Sequence, residues 1–343
     1  MKKSLQKDQK LNKKVFEAVN WNKPENDYVE TFWEQNLKQF WVDTEYIPSK
    51  DIDSYKRLSP EMRTAYKRVL GGLTLLDTQQ SHTGMPKLID CLDSLQNKSV
   101  LSFMCMMESI HAKSYSTIFT TVASTEEIDE IFEWIKENPY IQFKAQVLDD
   151  KYRKLDDPNV SDYDIYFGMV TSILLESFLF YSGFFLPLWL AGQGEMVASA
   201  DIIKKIVADE SIHGAFIGLL AQEQYAKLSK AEQKKADAEV NDMIEKLMAN
   251  DIKYTEQVYS EIGLVHEVKE YLKYNANRAL ANMGREDKYE VGEVNQIVLN
   301  GLNVETTQHD FFSKKSTNYE KALKVEQLKD DDFSVETDDE FDI

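Results

Sequence analysis

The sequence is poor in cysteine, glycine and proline. Of its 343 residues two are cysteine, Cys91 and Cys105, while thirteen are glycine and seven are proline. The cysteines form no C-x-x-C motif, so a disulfide framework is not expected, and a reducing cytoplasm is the predicted location. Because glycine and proline are the usual residues of chain reversals, their scarcity favours long helices over a sheet with many turns.

Basic residues are also fewer than acidic ones. The chain has 40 basic and 59 acidic residues, a net charge of -19, which disfavours nucleic acid or an anionic membrane as the main partner. The N-terminal segment "MKKSLQKDQKLNKK" lacks the apolar core of a secretory signal. Residues 167–192 are apolar and long enough to span a bilayer, but Glu176 and Pro187 interrupt them. We therefore expect a buried core helix there and no membrane span.

Apolar residues recur with a helical period along most of the chain, and neither an alternating strand pattern nor a solenoid repeat is evident. Ser124 and Ser229 begin capping-box motifs, and Pro139, Gly263 and Gly284 are predicted helix ends. The sequence predicts a mostly helical single domain. Its predicted helices cover approximately 60–82, 98–122, 125–137, 163–184, 199–226, 230–261 and 266–283.

The two ends differ from this helical body. From Glu326 onward the chain holds nine acids and one lysine, a composition typical of disorder. This segment is either a solubilising tail or, because Phe333 and Phe341 lie among the acids, a segment that becomes ordered in the groove of a partner. The predicted division is an N-terminal extension over 1–20, a helical domain over 21–315 and an acidic C-terminal tail over 316–343.

One short motif, Glu-x-x-His, occurs twice in apolar helical segments, starting at Glu108 and at Glu210. A lone acid lies about thirty residues before each unit, Asp77 before the first and Glu176 before the second, which fits a helix, a turn and a returning helix. Residues three apart share a helix face, so four helices would point their acids and histidines into one bundle. This is the dimetal-carboxylate arrangement of ferritin-like bundles. The predicted metal ligands are Asp77, Glu108, His111, Glu176, Glu210 and His213.

Four buried carboxylates without a cation would be costly, and two divalent ions would balance their charge. Oxygen and imidazole donors suit iron or manganese, and the sequence does not choose between them. A single Glu-x-x-His is more often a surface pair or a satisfied core histidine, but two units with matching upstream acids rarely arise by accident. Tyr115, one turn after His111, is either a core tyrosine bonded to a carboxylate or an oxidisable phenol beside the metals. His82, His266 and His309 are predicted to be structural or exposed.

Several motifs taken together resemble the small, radical-generating subunit of class Ib ribonucleotide reductase, from about Asn20 to the tail. They are "LLDTQQS", "MESIHAKSYS", "ESFLFYSGFF", "ADESIHG", "YNANRALANMG" and "HDFFS". The resemblance implies an all-α, ferritin-like helical bundle with additional helices, in a homodimer. It implies that the six acids and histidines hold two manganese or two iron ions, and that Tyr115 becomes a stable tyrosyl radical.

The same resemblance implies a radical-transfer route to a large-subunit partner, where ribonucleotides are reduced. Trp41 and Asp209 would begin this route near the metals, and Tyr319 would continue it in the tail. Without the resemblance they would be a core residue, a helix-face acid and a linker residue. A flavodoxin-like activating protein is implied for the manganese form. The alternatives are a ferritin-like ferroxidase and a stand-alone dimetal oxidase, which would need no large subunit.

Overall fold

The computed structural model describes residues 16–303, which form helices and turns with no β-strand among them. The predicted all-α class is therefore confirmed for this range. The α-helices of the described range are α1 Val29–Gln39, α2 Ile52–Arg57, α3 Pro60–Gln79, α4 Met85–Cys91, α5 Leu95–Val122, α6 Thr125–Glu137, α7 Pro139–Tyr152, α8 Asp162–Leu174, α9 Tyr181–Gly192, α10 Val197–Lys227, α11 Lys230–Tyr259, α12 Val265–Asn282 and α13 Gln296–Asn303.

The chain divides into two compact units between Gly301 and Leu302, and nearly all described residues belong to the first unit. Within it α3 packs on α5, and α10 packs on α8 and α9. The predicted boundaries at residues 20 and 315 stay predictions, because residues 1–15 and 304–343 lie outside the described part.

Local signals account for many helix ends. The Ser124 and Ser229 side chains accept hydrogen bonds from the backbone of Glu127 and Glu232, and each glutamate bonds back to the serine backbone, so both predicted capping boxes are present. Gly284 follows α12 with a φ of 71°, a conformation that favours glycine. Pro139 was predicted only as a stop; it also occupies the first position of α7, where its missing N–H costs nothing.

Two predicted helices, 60–82 and 163–184, are each interrupted by one wider, π-helical turn. These turns are Gln80–Gly84, between α3 and α4, and Leu175–Leu179, between α8 and α9. Apolar periodicity does not detect such a turn, because one extra residue shifts the pattern without ending it. Five other α-helices, α1, α2, α4, α7 and α13, lie outside the predicted segments. Four of them have at most 11 residues, and α7, with 14 residues, was missed because Pro139 was interpreted only as a helix end.

One described helical stretch, Asp162–Gly192, is long and apolar enough to cross a bilayer. However, 94% of its most apolar window is buried inside the protein. The prediction of a core helix is confirmed, and this helix carries Glu176 into the interior.

Asp51, which precedes α2, caps the start of α10 from a distant part of the chain. Its Oδ1 accepts from the backbone N–H of Ala198 at 3.1 Å, and its Oδ2 accepts from that of Ser199 at 2.6 Å. The carboxylate satisfies two of the unpaired donors at the helix start and opposes the positive end of the helix dipole. It also ties the segment after Trp41 to the helix that carries Glu210 and His213.

We therefore predict that Asp51→Ala lowers the free energy of unfolding by about 1–2 kcal/mol, the usual cost of losing a helix cap. Urea denaturation of the apoprotein measures it. Asp53→Ala is the control, because the Asp53 side chain is 88% exposed and its ion pair with Lys56 is long, at 3.8 Å. Equal stability of the two variants would contradict the capping role.

Candidate metal centre

All six predicted ligands meet in the interior, and each is 0% exposed. Their side chains form two overlapping groups of four, and within each group one ligand atom per residue lies within 4.8 Å of the others. One group pairs Asp77 with His111, and the other pairs Glu176 with His213; Glu108 and Glu210 belong to both. The first group is Asp77, Glu108, His111 and Glu210, and the second is Glu108, Glu176, Glu210 and His213.

The supporting helices explain this convergence. Asp77 comes from α3, and Glu108 and His111 lie three residues apart on one face of α5. Glu176 lies in the π-helical turn between α8 and α9, and α10 presents its own pair with the same spacing. Glu108 and Glu210 can bridge two adjacent cations. Each cation would also have one acid and one histidine of its own.

The polar atoms of the site fit metal ions, because most of them lack another partner. Among the described residues, both carboxylate oxygens of Asp77, Glu108 and Glu210 and one of Glu176 are buried with no hydrogen-bond partner other than the facing ligands and Tyr115. The same holds for the Nδ1 atoms of both histidines. Leaving so many acceptors unsatisfied would cost several kcal/mol per ion, so this donor set is matched to divalent cations. The chain therefore holds a buried group able to bind a dimetal centre.

The histidines face the shared carboxylates through Nδ1. His213 Nδ1 lies 2.7 Å from Glu108 Oε1, and His111 Nδ1 lies 3.0 Å from Glu210 Oε1. Burial and the charges of Glu108 and Glu210 raise the pKa values of Asp77 and Glu176 well above their ordinary range. Burial alone would lower the histidine pKa values, but the facing carboxylates raise them instead. Without cations, then, these acids and histidines hold protons between them.

A carboxylate outside the ligand set fixes the orientation of His111. His111 Nε2 lies 2.9 Å from Asp209 Oδ2, and Trp41 Nε1 donates to the same oxygen at 2.8 Å. The indole stacks on the imidazole, with 5.9 Å between ring centroids and 15° between planes. Because Nε2 donates to Asp209, Nδ1 is left as the metal-facing atom. Trp41, Asp209 and His111 thus lie in direct contact.

Two glutamines that contact this site were not predicted. Gln39 Nε2 donates to the second oxygen of Asp209 at 2.6 Å, and Gln80 donates to Glu176. Gln39 gave no sequence signal beyond its position two residues before Trp41. The available signal for Gln80 was its spacing of three residues from Asp77, which places both on one helix face.

Tyr115 is fully buried, and its hydroxyl interacts with the carboxylate of Asp77. Its pKa is raised well above the ordinary value, first by burial and then by the charges of Asp77 and Glu210. Asp77 belongs only to the first ligand group, so Tyr115 lies on that side of the site. Tyr319 lies outside the described residues.

Comparisons with known proteins agree with this geometry. Residues 18–296 match the model of the family "Ribonucleotide reductase, small chain". The chain belongs to this family. It is 48% identical to ribonucleoside-diphosphate reductase subunit beta of Bacillus subtilis, over 94% of this chain and 98% of the relative. It is 36% identical to ribonucleoside-diphosphate reductase 2 subunit beta of Escherichia coli, over 92% of this chain and 97% of that relative.

The fold agrees with a solved structure of the same family. The X-ray crystal structure of dimanganese(II)-NrdF from Streptococcus sanguinis matches with a TM-score of 0.79 and 40% identity, over 84% of this chain and 100% of that one. The predicted ferritin-like fold, the class Ib small-subunit family and the reductase activity are confirmed. These matches favour that function over the ferroxidase and stand-alone oxidase alternatives, and a small subunit of this enzyme implies a large-subunit partner.

Metal binding to this site should depend on pH. Metal ions must displace protons from Asp77, Glu176 and the two histidines, whose pKa values are raised. We expect Mn(II) affinity of the apoprotein to rise, and proton release per ion to fall, as pH increases from about 6 to about 8. Calorimetric titration with proton counting in a weak buffer measures both. An affinity independent of pH would contradict the protonated apo site.

Proposed function

We propose that this chain stores an oxidising equivalent on Tyr115 and delivers it through Trp41 to the large subunit. The observation that carries the proposal is the placement of two kinds of side chain around one metal centre. The buried phenol of Tyr115 lies on the Asp77 side of the centre. Hydrogen bonds from His111 to Asp209 and from Trp41 to Asp209 lead away from the centre. A bound pair of manganese or iron ions would supply the oxidant; the ligands proposed for it are the six residues of the two groups.

The residues around Tyr115 are suited to a long-lived radical. Oxidation of a phenol removes one electron and one proton, and Asp77 is a carboxylate close enough to raise the pKa of the hydroxyl and to take up that proton. Full burial keeps solvent and external reductants away from the ring. The stored equivalent therefore persists until it is transferred.

Asp209 is suited to couple proton and electron movement at Trp41. Its Oδ2 accepts from both the indole Nε1 and His111 Nε2, so the carboxylate can hold the indole proton while the ring loses an electron. Gln39 fixes the other oxygen and keeps the carboxylate in this position. Tyr319, in the tail, is proposed to carry the equivalent onward to the large subunit, where ribonucleotides are reduced to deoxyribonucleotides.

We further propose a homodimer in the cytoplasm. Family membership supports the dimer, and so do the exposed apolar side chains of Leu37, Phe40 and Met106, which are 50%, 46% and 43% exposed on or beside the packed helices α1 and α5. The dimanganese relative supports manganese, for which a flavodoxin-like activating protein is proposed as partner. An iron form would assemble with dioxygen alone.

Tyr115→Phe should retain about two metals per chain. It should lose the tyrosyl signal in electron paramagnetic resonance, because phenylalanine lacks the phenolic O–H that is oxidised. Metal analysis of the same samples gives the metal content. Tyr271→Phe is the matched control, since Tyr271 is also 0% exposed and belongs to neither ligand group. An undiminished signal in Tyr115→Phe would assign the radical to another residue.

Trp41→Phe should keep the tyrosyl signal but reduce ribonucleotide reduction with the large subunit to background. Phenylalanine preserves an aromatic ring beside His111 but has neither the Nε1 donor nor an easily oxidised indole. Trp33→Phe, which alters a partly exposed indole packed against Phe103, should remain active. Normal turnover by Trp41→Phe would remove Trp41 from the route.

A further inference from the structure

The Gln80 side chain bridges Tyr152 and Glu176 on the His213 side of the metal centre. Its Nε2 donates to Glu176 Oε1 and, at 2.6 Å, to Ser172 Oγ. Its Oε1 accepts from the hydroxyl of Tyr152 at 2.7 Å. All four side chains are 0% exposed. This buried chain of hydrogen bonds takes no part in the proposed radical route.

The Tyr152 hydroxyl determines which way the amide of Gln80 points. Because the phenol donates to Oε1, the amide nitrogen faces the carboxylate of Glu176. With the amide reversed, its oxygen would face the carboxylate of Glu176, which is ionised when it binds a metal ion and then has no hydrogen to donate. Tyr152 therefore orients Gln80, and Gln80 in turn orients Glu176.

The backbone is shaped around this contact. Gln80 begins one π-helical turn, Gln80–Gly84, and Glu176 lies in the other, Leu175–Leu179. Such turns are frequent at functional sites, where the extra residue redirects side chains. A Cβ atom at Gly84 would come within 2.7 Å of Tyr152 Cε2 and would also clash with Gln80 Oε1. Glycine at this position leaves room for the amide and the phenol.

The contact makes Glu176 different from the two shared glutamates. Among the described residues, both oxygens of Glu108 and of Glu210 have no hydrogen-bond partner outside the ligand set, so both remain available to ions. In Glu176 only Oε2 lacks one, and it lies 3.7 Å from His213 Nδ1. The amide of Gln80 occupies the other oxygen.

We propose that Gln80, oriented by Tyr152, is a positioning residue that restricts Glu176 to one metal-binding oxygen and thereby sets the affinity and coordination of the ion held with His213. The proposal rests on the dimetal site of the proposed function. It concerns one of the two ions, so its effect should be specific to one binding step.

The test is titration of full-length apoprotein with Mn(II), to measure affinity, and with Co(II), whose visible spectrum reports coordination. The variants are Gln80→Leu, which has a similar size and no hydrogen-bonding group, and Tyr152→Phe, which removes only the orienting hydroxyl. Gln224→Leu is the matched control for loss of a buried amide. Gln224 is 4% exposed and its Nε2 donates to Asp162 Oδ1 at 2.8 Å, outside the metal centre.

We expect wild-type protein and Gln224→Leu to bind two ions per chain with the same affinities and spectrum. Gln80→Leu should weaken one binding step by about tenfold or more, the usual effect of losing a residue that orients a ligand, and should alter the Co(II) spectrum. Tyr152→Phe should show a smaller change in the same step. If Gln80→Leu does not fold, Tyr152→Phe decides the matter alone.

Wild-type affinities and spectrum in Gln80→Leu, or in Tyr152→Phe where that variant decides, would overturn the proposal while leaving the proposed function intact. Equal weakening of both steps would also overturn it, because a general structural role would then suffice. Fewer than two ions bound by the wild-type protein would overturn the proposed function and this inference together.

Discussion

Mutual repulsion among four carboxylates, held within a few ångströms of one another in a dry core, is the constraint that shapes this structure. Burial, and then the charges of Glu108 and Glu210, raise the pKa values of Asp77 and Glu176 well above the ordinary range. The pKa of Glu210 falls, because Glu176 and the two histidines stabilise its charge against the effect of burial. Two divalent cations would replace the shared protons and balance the four charges. Long helices with an extended buried face hold such a site away from water.

The twofold pattern of ligands has different surroundings on its two sides. The His111 side contacts a carboxylate and an indole, Asp209 and Trp41, which can together accept a proton and release an electron. The Glu176 side contacts an amide, Gln80, which can do neither. In our account the oxidising equivalent therefore leaves on one side only, and the other side serves to hold a ligand in place.

The ligand set could be predicted from sequence because it depends on local periodicity. Glu-x-x-His places two donors on one face of any helix, and a buried acid about one helix earlier identifies the neighbouring helix. The capping boxes at Ser124 and Ser229 depend on contacts within a few residues, so they were predictable for the same reason.

The remaining features depend on contacts that no short-range pattern contains. Asp51 caps α10 across 147 and 148 residues of sequence, and Gln39 reaches Asp209 across 170. The π-helical turn at Gln80 lies in a polar stretch shortly before Pro86, a pattern that indicates a helix end and does not distinguish it from one wider turn. Trp41 and Asp209 were singled out only through the family resemblance, since an isolated tryptophan or a second acid beside Glu210 has no distinctive spacing.

The central claim is that the two overlapping ligand groups hold two ions as one centre, with Glu108 and Glu210 shared between them. X-ray absorption spectroscopy on metal-loaded protein tests this most directly, because scattering between metals reports their separation. We expect two ions per chain about 3.5–4 Å apart, the usual spacing of such pairs. A single isolated ion, or two ions with no metal–metal scattering, would contradict it.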